Sequence, residues 1–558
     1  MILPGTQSER ARVYRNVARE CEISMETRRG RYRANRMWYL TGSDTGQRAR
    51  YNKLLEHVSF SSAYLYAPES VRFGVVLPPH YGDQWIPECD AAKEELHRLW
   101  HDSGAGLAFD QLVTWAHVYD TMLGKVVVSN GTPTLVPIAD PADIGVWNES
   151  SDDWDTDEAI VHSYTLDVPR FARMVAPHPN AKHLIEVAEA HAVPGFEASE
   201  NALPPTIQRT IILSQASPNL IGAVQGLGDT SLAIPQVTAP MVRMAELWIR
   251  DDAIQDYRVV TILLATEDIL WEPRNPLVPG EHPFHPLTLI PTPGYRWGVA
   301  PMEYLIAMQG WREDKMRQLD DRDDKLIDPP MLFKGFTQIT DEQAMRFRAK
   351  GGNLATQNPT AEATPFPPSP VAEPYQIIDR IDTDFARQGG LPKGLTGQTE
   401  PGVRSGEQAE SQAALAGGPT MKKAMYVESA VEAVATQMLR LQRRISGETL
   451  SKTEGASAHE FLLAQMPGDL VARVWAHSTS PLYATQLLTK AKLAHDAKAI
   501  DNEDYLEYLD LPLTDTKLKA KARQMAQAAA ERQTQLLDLK KKEVEAKVTK
   551  AQASATKI

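Results

Sequence analysis

The sequence is poor in cysteine and has no long apolar run, and both absences restrict the class of protein. Only Cys21 and Cys89 occur in 558 residues, which is too few for the disulfide framework of a small secreted domain. We therefore expect two free thiols and a reducing compartment. No stretch of about 18 apolar residues occurs, so no membrane-spanning helix is expected. Residues 1–5 lack the apolar run of a signal peptide, which favours synthesis and use in the cytoplasm, or release from it.

Common catalytic motifs are also missing. The chain contains no G-x-x-x-x-G-K-[ST] phosphate loop and no G-x-S-x-G nucleophile turn. His97 and His101 have the i, i+4 spacing of a zinc site, but Arg98 stands where a metalloprotease has glutamate, so a surface helix is favoured. His282 and His285 each precede a proline and are interpreted as loop histidines. No enzyme activity and no cofactor are expected.

The charge balance is acidic overall but strongly basic at the beginning of the chain. The formal net charge is −13, which argues against a surface that binds nucleic acid everywhere but permits a local cationic element. Residues 1–50 contain eleven arginines and no lysine. They predict either a nucleic-acid patch or, as the favoured interpretation, a solvated helix face or a set of salt bridges between subunits.

Carboxylates cluster at two other places. Residues 149–158 are acidic and predict a solvated loop. Asp320, Asp324 and Asp328 share one face of a predicted helix, and Asp379 and Asp382 lie on the next one. Such a cluster could bind Mg²⁺ in a nuclease. A solvated or channel-facing acidic wall is the favoured interpretation.

The first 297 residues predict a mixture of helices and short strands. Apolar spacing predicts helices over residues 51–66, 91–101 and 109–123, the last of them ended by Gly124. A strand over 125–129, the turn Asn130-Gly131 and a return strand over 134–138 predict a hairpin. Short strand patterns follow between 160 and 290, including 258–264. The fold class is therefore α+β.

The most informative stretch is residues 298–447. A helix over 298–328 with Pro301 in its first turn is predicted to stop at Pro329-Pro330. A strand over 331–333, a helix over 340–349 and a proline-rich stretch to 374 follow. A second helix, over 375–388, aligns Ile377, Ile381 and Phe385. The segment 389–406 contains six glycines with Lys393 and Arg404, and a long helix, interrupted at 417–419, follows over 407–446. The two cations are either incidental charges in a linker or DNA-facing.

This order of elements resembles the portal proteins, the head-to-tail connectors of tailed double-stranded DNA bacteriophages. Gly298-Val299-Ala300-Pro301 is similar to the Gly-x-Ser/Ala-Pro start of their stem helix, and Gly390-Leu391-Pro392 is similar to their tunnel-loop segment. The resemblance implies a portal fold with these parts: an α/β wing (1–297), a first stem helix (298–328), a small α/β clip (329–374), a second stem helix (375–388), a tunnel loop (389–406), a long kinked helix with wing return (407–479) and a helical crown with a long C-terminal helix or tail (480–558).

What the resemblance implies for function is a dodecameric ring at one capsid vertex of the virion, assembled in the host cytoplasm. Such a ring conducts double-stranded DNA during packaging and ejection, and it contacts terminase, the major capsid protein and a head–tail adaptor. Lys393 and Arg404 would face DNA, and the acidic residues would line the channel or stem. Two alternatives remain open: a magnesium-dependent nuclease built on the aspartates, and a non-ring head–tail adaptor.

Overall fold

The computed structural model describes most of the first two thirds of the chain and only short parts of the remainder. The chain divides into two compact units, Met1–Thr479 and Ser480–Ile558, and within the second only residues 492–497 are described. No helix among the described residues is long and apolar enough to cross a membrane. The described residues are 3, 6–43, 49, 51–81, 85–151, 153–154, 157–194, 240–327, 331–334, 340, 360, 362–365, 373–390, 418–450, 463, 465–474 and 492–497.

The first unit mixes helices and sheets, so the predicted α+β class is confirmed at that level. The main helices are α1 (Gln7–Thr41), α2 (Lys53–Leu65), α3 (Ile86–Asp102), α4 (Ala105–Ala116), α5 (Val168–Val175), α6 (Ala181–Ala190), α7 (Glu303–Ile327), α8 (Glu373–Gly389) and α9 (Gly418–Leu450). The strands are β1 (Phe73–Val76), β2 (Met122–Ser129), β3 (Thr132–Pro137), β4 (Ile144–Val146), β5 (Ala159–Asp167), β6 (Val193–Pro194), β7 (Pro240–Asp251), β8 (Asp256–Leu263), β9 (Asp268–Trp271), β10 (Phe284–Leu287), β11 (Met331–Lys334), β12 (Glu362–Pro365) and β13 (Val471–Val474).

The largest sheet has the strand order β4-β5-β7-β8-β9, with β6 paired to β7, and every pairing is antiparallel. Helix α1 covers one face of it, where Tyr14, Val17 and Cys21 pack against alternate residues of the strands. The approach is close: a Cβ on Gly145 of β4 would lie 2.6 Å from the main-chain oxygen of Cys21. Both cysteines are free thiols, as predicted.

A second sheet, with the order β10-β2-β3, contains the predicted hairpin. Asn130 and Gly131 have φ values of 52° and 79°, the left-handed conformation that a tight hairpin turn requires. The helix predicted over 109–123 is wrong in its second half, because α4 ends at Ala116 and β2 begins at Met122. Gly124 does not end a helix. It lies in β2, where a Cβ would stand 2.7 Å from the Leu135 side chain.

The arginines of α1 mostly bind groups of their own chain. Arg28 is 2% exposed, donates hydrogen bonds to the main-chain oxygens of Pro141 and Ile144, and stacks 3.5 Å above the Trp297 ring. Such contacts desolvate the cation but compensate it with oxygens and an aromatic face. Arg31 forms an ion pair with buried Asp120. The expected solvated face or inter-subunit bridges are therefore wrong for these two residues, which are braces within the subunit.

The acidic stretch 149–158 is not simply a solvated loop either. Asp157 and Arg296 form an ion pair at 3.1 Å, and both side chains are almost completely buried. Burial raises the pKa of Asp157 to about 6, although Arg296 acts in the opposite direction. Trp154 packs edge-to-face on Trp297 beside this pair. The prediction failed because the partners of these residues lie in the segment just before α7, far along the chain.

Candidate functional site: the acidic helix pair and its junction

Helix α7 is anchored at its first end in the core of the unit. Met302 and Leu305 are fully buried, and Gln309 accepts a hydrogen bond from the Lys53 main-chain nitrogen at 3.1 Å. The predicted helix is confirmed, but it begins at Glu303 rather than at residue 298. Gly298 lies in the preceding segment, where a Cβ would stand 2.4 Å from the Ile290 main-chain oxygen. Gly298 is therefore required for close packing in the segment that precedes the helix.

Helix α8 runs antiparallel to α7. Arg312 of α7 donates to Asp382 of α8 at 2.7 Å, and farther along α7 Arg322 lies 5.6 Å from the ring of the earlier Tyr375. The α8 prediction is confirmed with slightly wider bounds. Its buried side is carried by Ile378, Ile381 and Phe385, so Ile378 takes the buried position that the sequence assigned to Ile377.

The aspartates chosen from the sequence occupy different environments on this helix pair. Asp320 and Asp324 of α7 and Asp379 of α8 are exposed. Asp382 is only partly exposed, since it holds Arg312, whose side chain is 7% exposed. The pair therefore has exposed carboxylates on its surface and one carboxylate that braces the two helices. Asp328 lies outside the described residues.

A metal centre finds no support in the described part of the chain. No group of three or more histidine, cysteine, aspartate or glutamate side chains is arranged there to hold an ion. His97 contacts the Phe73 ring, whereas His101 is 92% exposed beside Asp102, so the two rings have different surroundings. His282 does precede β10 in a loop, but its side chain is buried. His285 lies within β10, so the loop prediction is wrong for it.

Strands β11 and β12 lie between the two helices in the sequence. They form a separate antiparallel pair in which Met331 is opposite Pro365 and Lys334 is opposite Glu362. The strand predicted over 331–333 is confirmed. The helix predicted over 340–349 falls outside the described residues apart from position 340. Among the described residues the order is therefore helix, strand, strand and helix. The two strands are antiparallel to each other, and so are the two helices.

The end of α8 and the beginning of α9 meet at one place, which we call the junction. The Thr420 hydroxyl of α9 donates to the Gly390 main-chain oxygen at 3.5 Å. The His57 ring of α2 packs against Gly389, where a Cβ would lie 2.4 Å from the ring, and edge-to-face on Phe385. The junction thus holds together the residues on both sides of the segment 391–417.

That segment itself lies outside the described part. Lys393, Arg404 and residues 407–417 of the helix predicted over 407–446 lie within it. The remainder of this helix prediction is confirmed, because α9 runs from Gly418 to Leu450. An apolar seam along α9 is buried: Val427, Val431, Val434 and Met438, which recur at spacings of four and three, are all 0% exposed. The seam packs into the core of its own unit.

The junction contains basic groups in an apolar setting. His57 is 4% exposed, and burial, followed by the charge of Lys423, lowers the pKa of its imidazole to about 3. His117 is completely buried, and burial and Lys423 hold its pKa well below the ordinary value. Its Nδ1 donates to the Val113 main-chain oxygen at 2.9 Å, while Nε2 has no partner. Burial also lowers the pKa of Lys423. Both rings are therefore neutral at physiological pH.

Sequence reasoning missed the junction. Its members come from α2, α4, α8 and α9, and no local pattern connects them. The only available signal was the Gly389-Gly390 pair, which directly follows the helix predicted over 375–388. Gly390 does have the left-handed φ of 76° that is common just after a helix, whereas Gly389 is required by the neighbouring ring.

Comparisons with known proteins give distant similarities only. No family model matches the chain, and no curated protein matches it. A chain of the solved structure described as "Virion of native gene transfer agent (GTA) particle" is 11% identical, with 82% of this chain and 89% of that chain covered and a TM-score of 0.36. A chain of "Neck of empty GTA particle computed with C6 symmetry" is also 11% identical, with 82% and 90% covered and a TM-score of 0.37. TM-scores of this size do not establish a shared fold.

Proposed function

We propose that the chain is a portal protein: a subunit of a ring at one capsid vertex of a virion, through which double-stranded DNA is packaged and ejected. The observation that carries the proposal is the path of the chain through α7, β11, β12 and α8. Helix α7 starts against α2, and at 1.5 Å per residue its 25 residues span about 37 Å. The chain then crosses the strand pair and returns along α8 to α2. Under this proposal α7, the strand pair and α8 are the first stem helix, the clip and the second stem helix.

The charges on the helix pair suit a channel for DNA. Exposed Asp320, Asp324 and Asp379 would repel phosphates, which prevents the polymer from binding tightly to the wall. At the base of the pair, the junction holds both ends of the segment that contains Lys393 and Arg404. Two cations per subunit, repeated around a ring, would bind phosphates weakly and reversibly. Under this proposal these residues are the DNA-facing tunnel loop.

The proposal also defines the partners. The chain would assemble with further copies of itself into a closed ring, dodecameric in the virion, through interfaces in which each copy uses two different surfaces. Terminase would bind the ring during packaging, the major capsid protein would surround it, and a head–tail adaptor would bind it afterwards. No chemical step by this chain is needed in that role.

Electron microscopy of the purified full-length protein tests the ring. Class averages should show closed rings with a central hole. A protein that stays monomeric under every assembly condition would contradict the proposal. Cleavage of DNA that depends on Mg²⁺ would favour the nuclease alternative instead.

The tunnel-loop role has its own test. We expect Lys393→Ala combined with Arg404→Ala to reduce DNA packaging or retention while rings still form. The matched control is Arg173→Ala with Lys182→Ala, which removes two cations from α5 and α6. The role would be refuted by normal packaging in the double variant, or by an equal defect in the control.

A further inference from the structure

A cavity of about 990 Å³ lies beside the large sheet, away from the helix pair and the junction. Its walls come from the beginning of α1, from β8, from the stretch that follows β9, and from the last turns of α9. Among the described residues, no lysine lines the cavity. The cationic side chains that line it are Arg10, Arg258, Arg274, Arg440, Arg443 and Arg444.

Three of these arginines are held by carboxylates. Arg258 and Arg10 approach Glu272 at 3.2 and 3.6 Å, and Arg440 donates to Glu281 at 2.7 Å. These ion pairs fix the guanidinium groups and neutralise part of their charge. These pairs therefore help to fix the shape of the cavity. Its remaining positive charge comes from the other arginines of the lining.

Two other arginines of the lining are not neutralised by a direct ion pair, although the carboxylate of Asp256 also lines the cavity. Arg443 of α9 donates to the Met466 main-chain oxygen, which uses one N–H but brings no negative charge. Arg274, in the stretch after β9, is exposed. Among the described residues, neither of them forms an ion pair with a carboxylate. Two positive charges thus line one cavity from separate elements.

Arg444 connects two walls of the cavity. Its guanidinium donates to the main-chain oxygens of Pro276 and Leu277, the first at 3.2 Å. These bonds hold the end of α9 against the stretch after β9. The guanidinium is therefore ordered before any ligand arrives, which reduces the entropy lost on binding.

We propose that this cavity binds phosphate groups. A planar carboxylate is saturated by one or two guanidinium forks, whereas the oxygens of a phosphate point in several directions and accept forks from different walls. Arg274 and Arg443 belong to different walls. A volume of about 990 Å³ exceeds the needs of a single phosphate and suits a group of several. The phosphates come either from a free polyphosphate or from a nucleic-acid backbone.

Calorimetry with inorganic tripolyphosphate and the full-length protein tests the site. We expect wild-type binding, and at least a tenfold loss of affinity in Arg274→Glu, because an attraction becomes a repulsion at an exposed position that the fold does not need. Arg443→Gln should also weaken binding. The matched control is Arg173→Glu, which makes the same charge change on α5. Absence of wild-type binding, or equal weakening by the control, overturns the proposal.

Competition then identifies the source of the phosphates. A short DNA duplex that displaces tripolyphosphate from wild type, but binds Arg274→Glu weakly, indicates the nucleic-acid backbone. Tripolyphosphate binding that the duplex does not affect indicates a free polyphosphate. If Arg274→Glu abolishes self-association of the chain while tripolyphosphate never binds, the cavity instead takes an acidic segment of a second copy, and the phosphate site is refuted.

Discussion

Acidification should destabilise the junction through His57. Its ring is 4% exposed and packs between Gly389, Phe385 and the region of Lys423. The folded-state pKa is lowered to about 3, because burial and then Lys423 disfavour the cation. In the unfolded chain the same imidazole titrates near about 6.5. Between these values the unfolded state binds the additional proton, so the free energy of unfolding falls as the pH falls below about 6.5.

The size of the effect follows from the two pKa values. Each pH unit between them changes the free energy of unfolding by about 1.4 kcal/mol per group. From pH 7.5 to pH 5.0 the loss attributable to His57 is about 2 kcal/mol. His117 shifts in the same direction for the same physical reason and adds to the total. The free energy of unfolding therefore falls as the pH is lowered from about 6.5 to about 3, and it changes little above about pH 7.

Urea unfolding followed by tryptophan fluorescence at about pH 7.5 and about pH 5.0 measures this difference. His57→Gln loses some packing at both pH values, but its loss of stability on acidification should be about 2 kcal/mol smaller than that of wild type. His101→Gln is the control, since it removes an imidazole whose side chain is 92% exposed. The same pH dependence in His57→Gln as in wild type would refute the argument.

Two further substitutions examine the helix pair and the junction. Arg312→Ala should cost about 2 kcal/mol in urea unfolding, since it leaves Asp382 without its partner; a double-mutant cycle with Asp382→Ala that shows no coupling would contradict this. Gly389→Ala should cost about 1–3 kcal/mol, because its Cβ would lie 2.4 Å from the His57 ring. The cost should shrink in a His57→Ala background, and Gly30→Ala, which meets nothing within 4 Å, should cost nothing.

Local signals in the sequence were reliable where the structure depends on neighbouring residues. Asn130-Gly131 predicted the hairpin because a tight turn with positive φ is a property of a few consecutive residues. The helices α2 and α8 were predicted closely because one side of each is apolar at helical spacing. Asp320, Asp324 and Asp379 are exposed, and their expected role as an acidic wall stays a prediction.

Predictions failed where the deciding partner is distant in sequence. Val118 and Met122 continue the apolar spacing of α4, but they are buried as part of a turn and a strand. Arg28 belongs to an arginine-rich stretch that is typical of a charged surface helix. Only the fold brings the Trp297 ring against its guanidinium. Asp379 and Asp382 are three positions apart on the same helix. Only the packing of α7 against α8 pairs Asp382 with Arg312 and leaves Asp379 exposed.

The sheet that joins β1 to β13 has a consequence for how the chain folds during synthesis. Phe73–Val76 has Val471–Val474 as its antiparallel partner, and Ala472 closes the same core that contains Phe73 and Leu54. The ribosome makes the first strand hundreds of residues before the second. An edge of unpaired main-chain groups and part of an apolar core therefore remain open throughout that interval. During translation the nascent chain needs protection from aggregation at this edge until residue 474 has emerged.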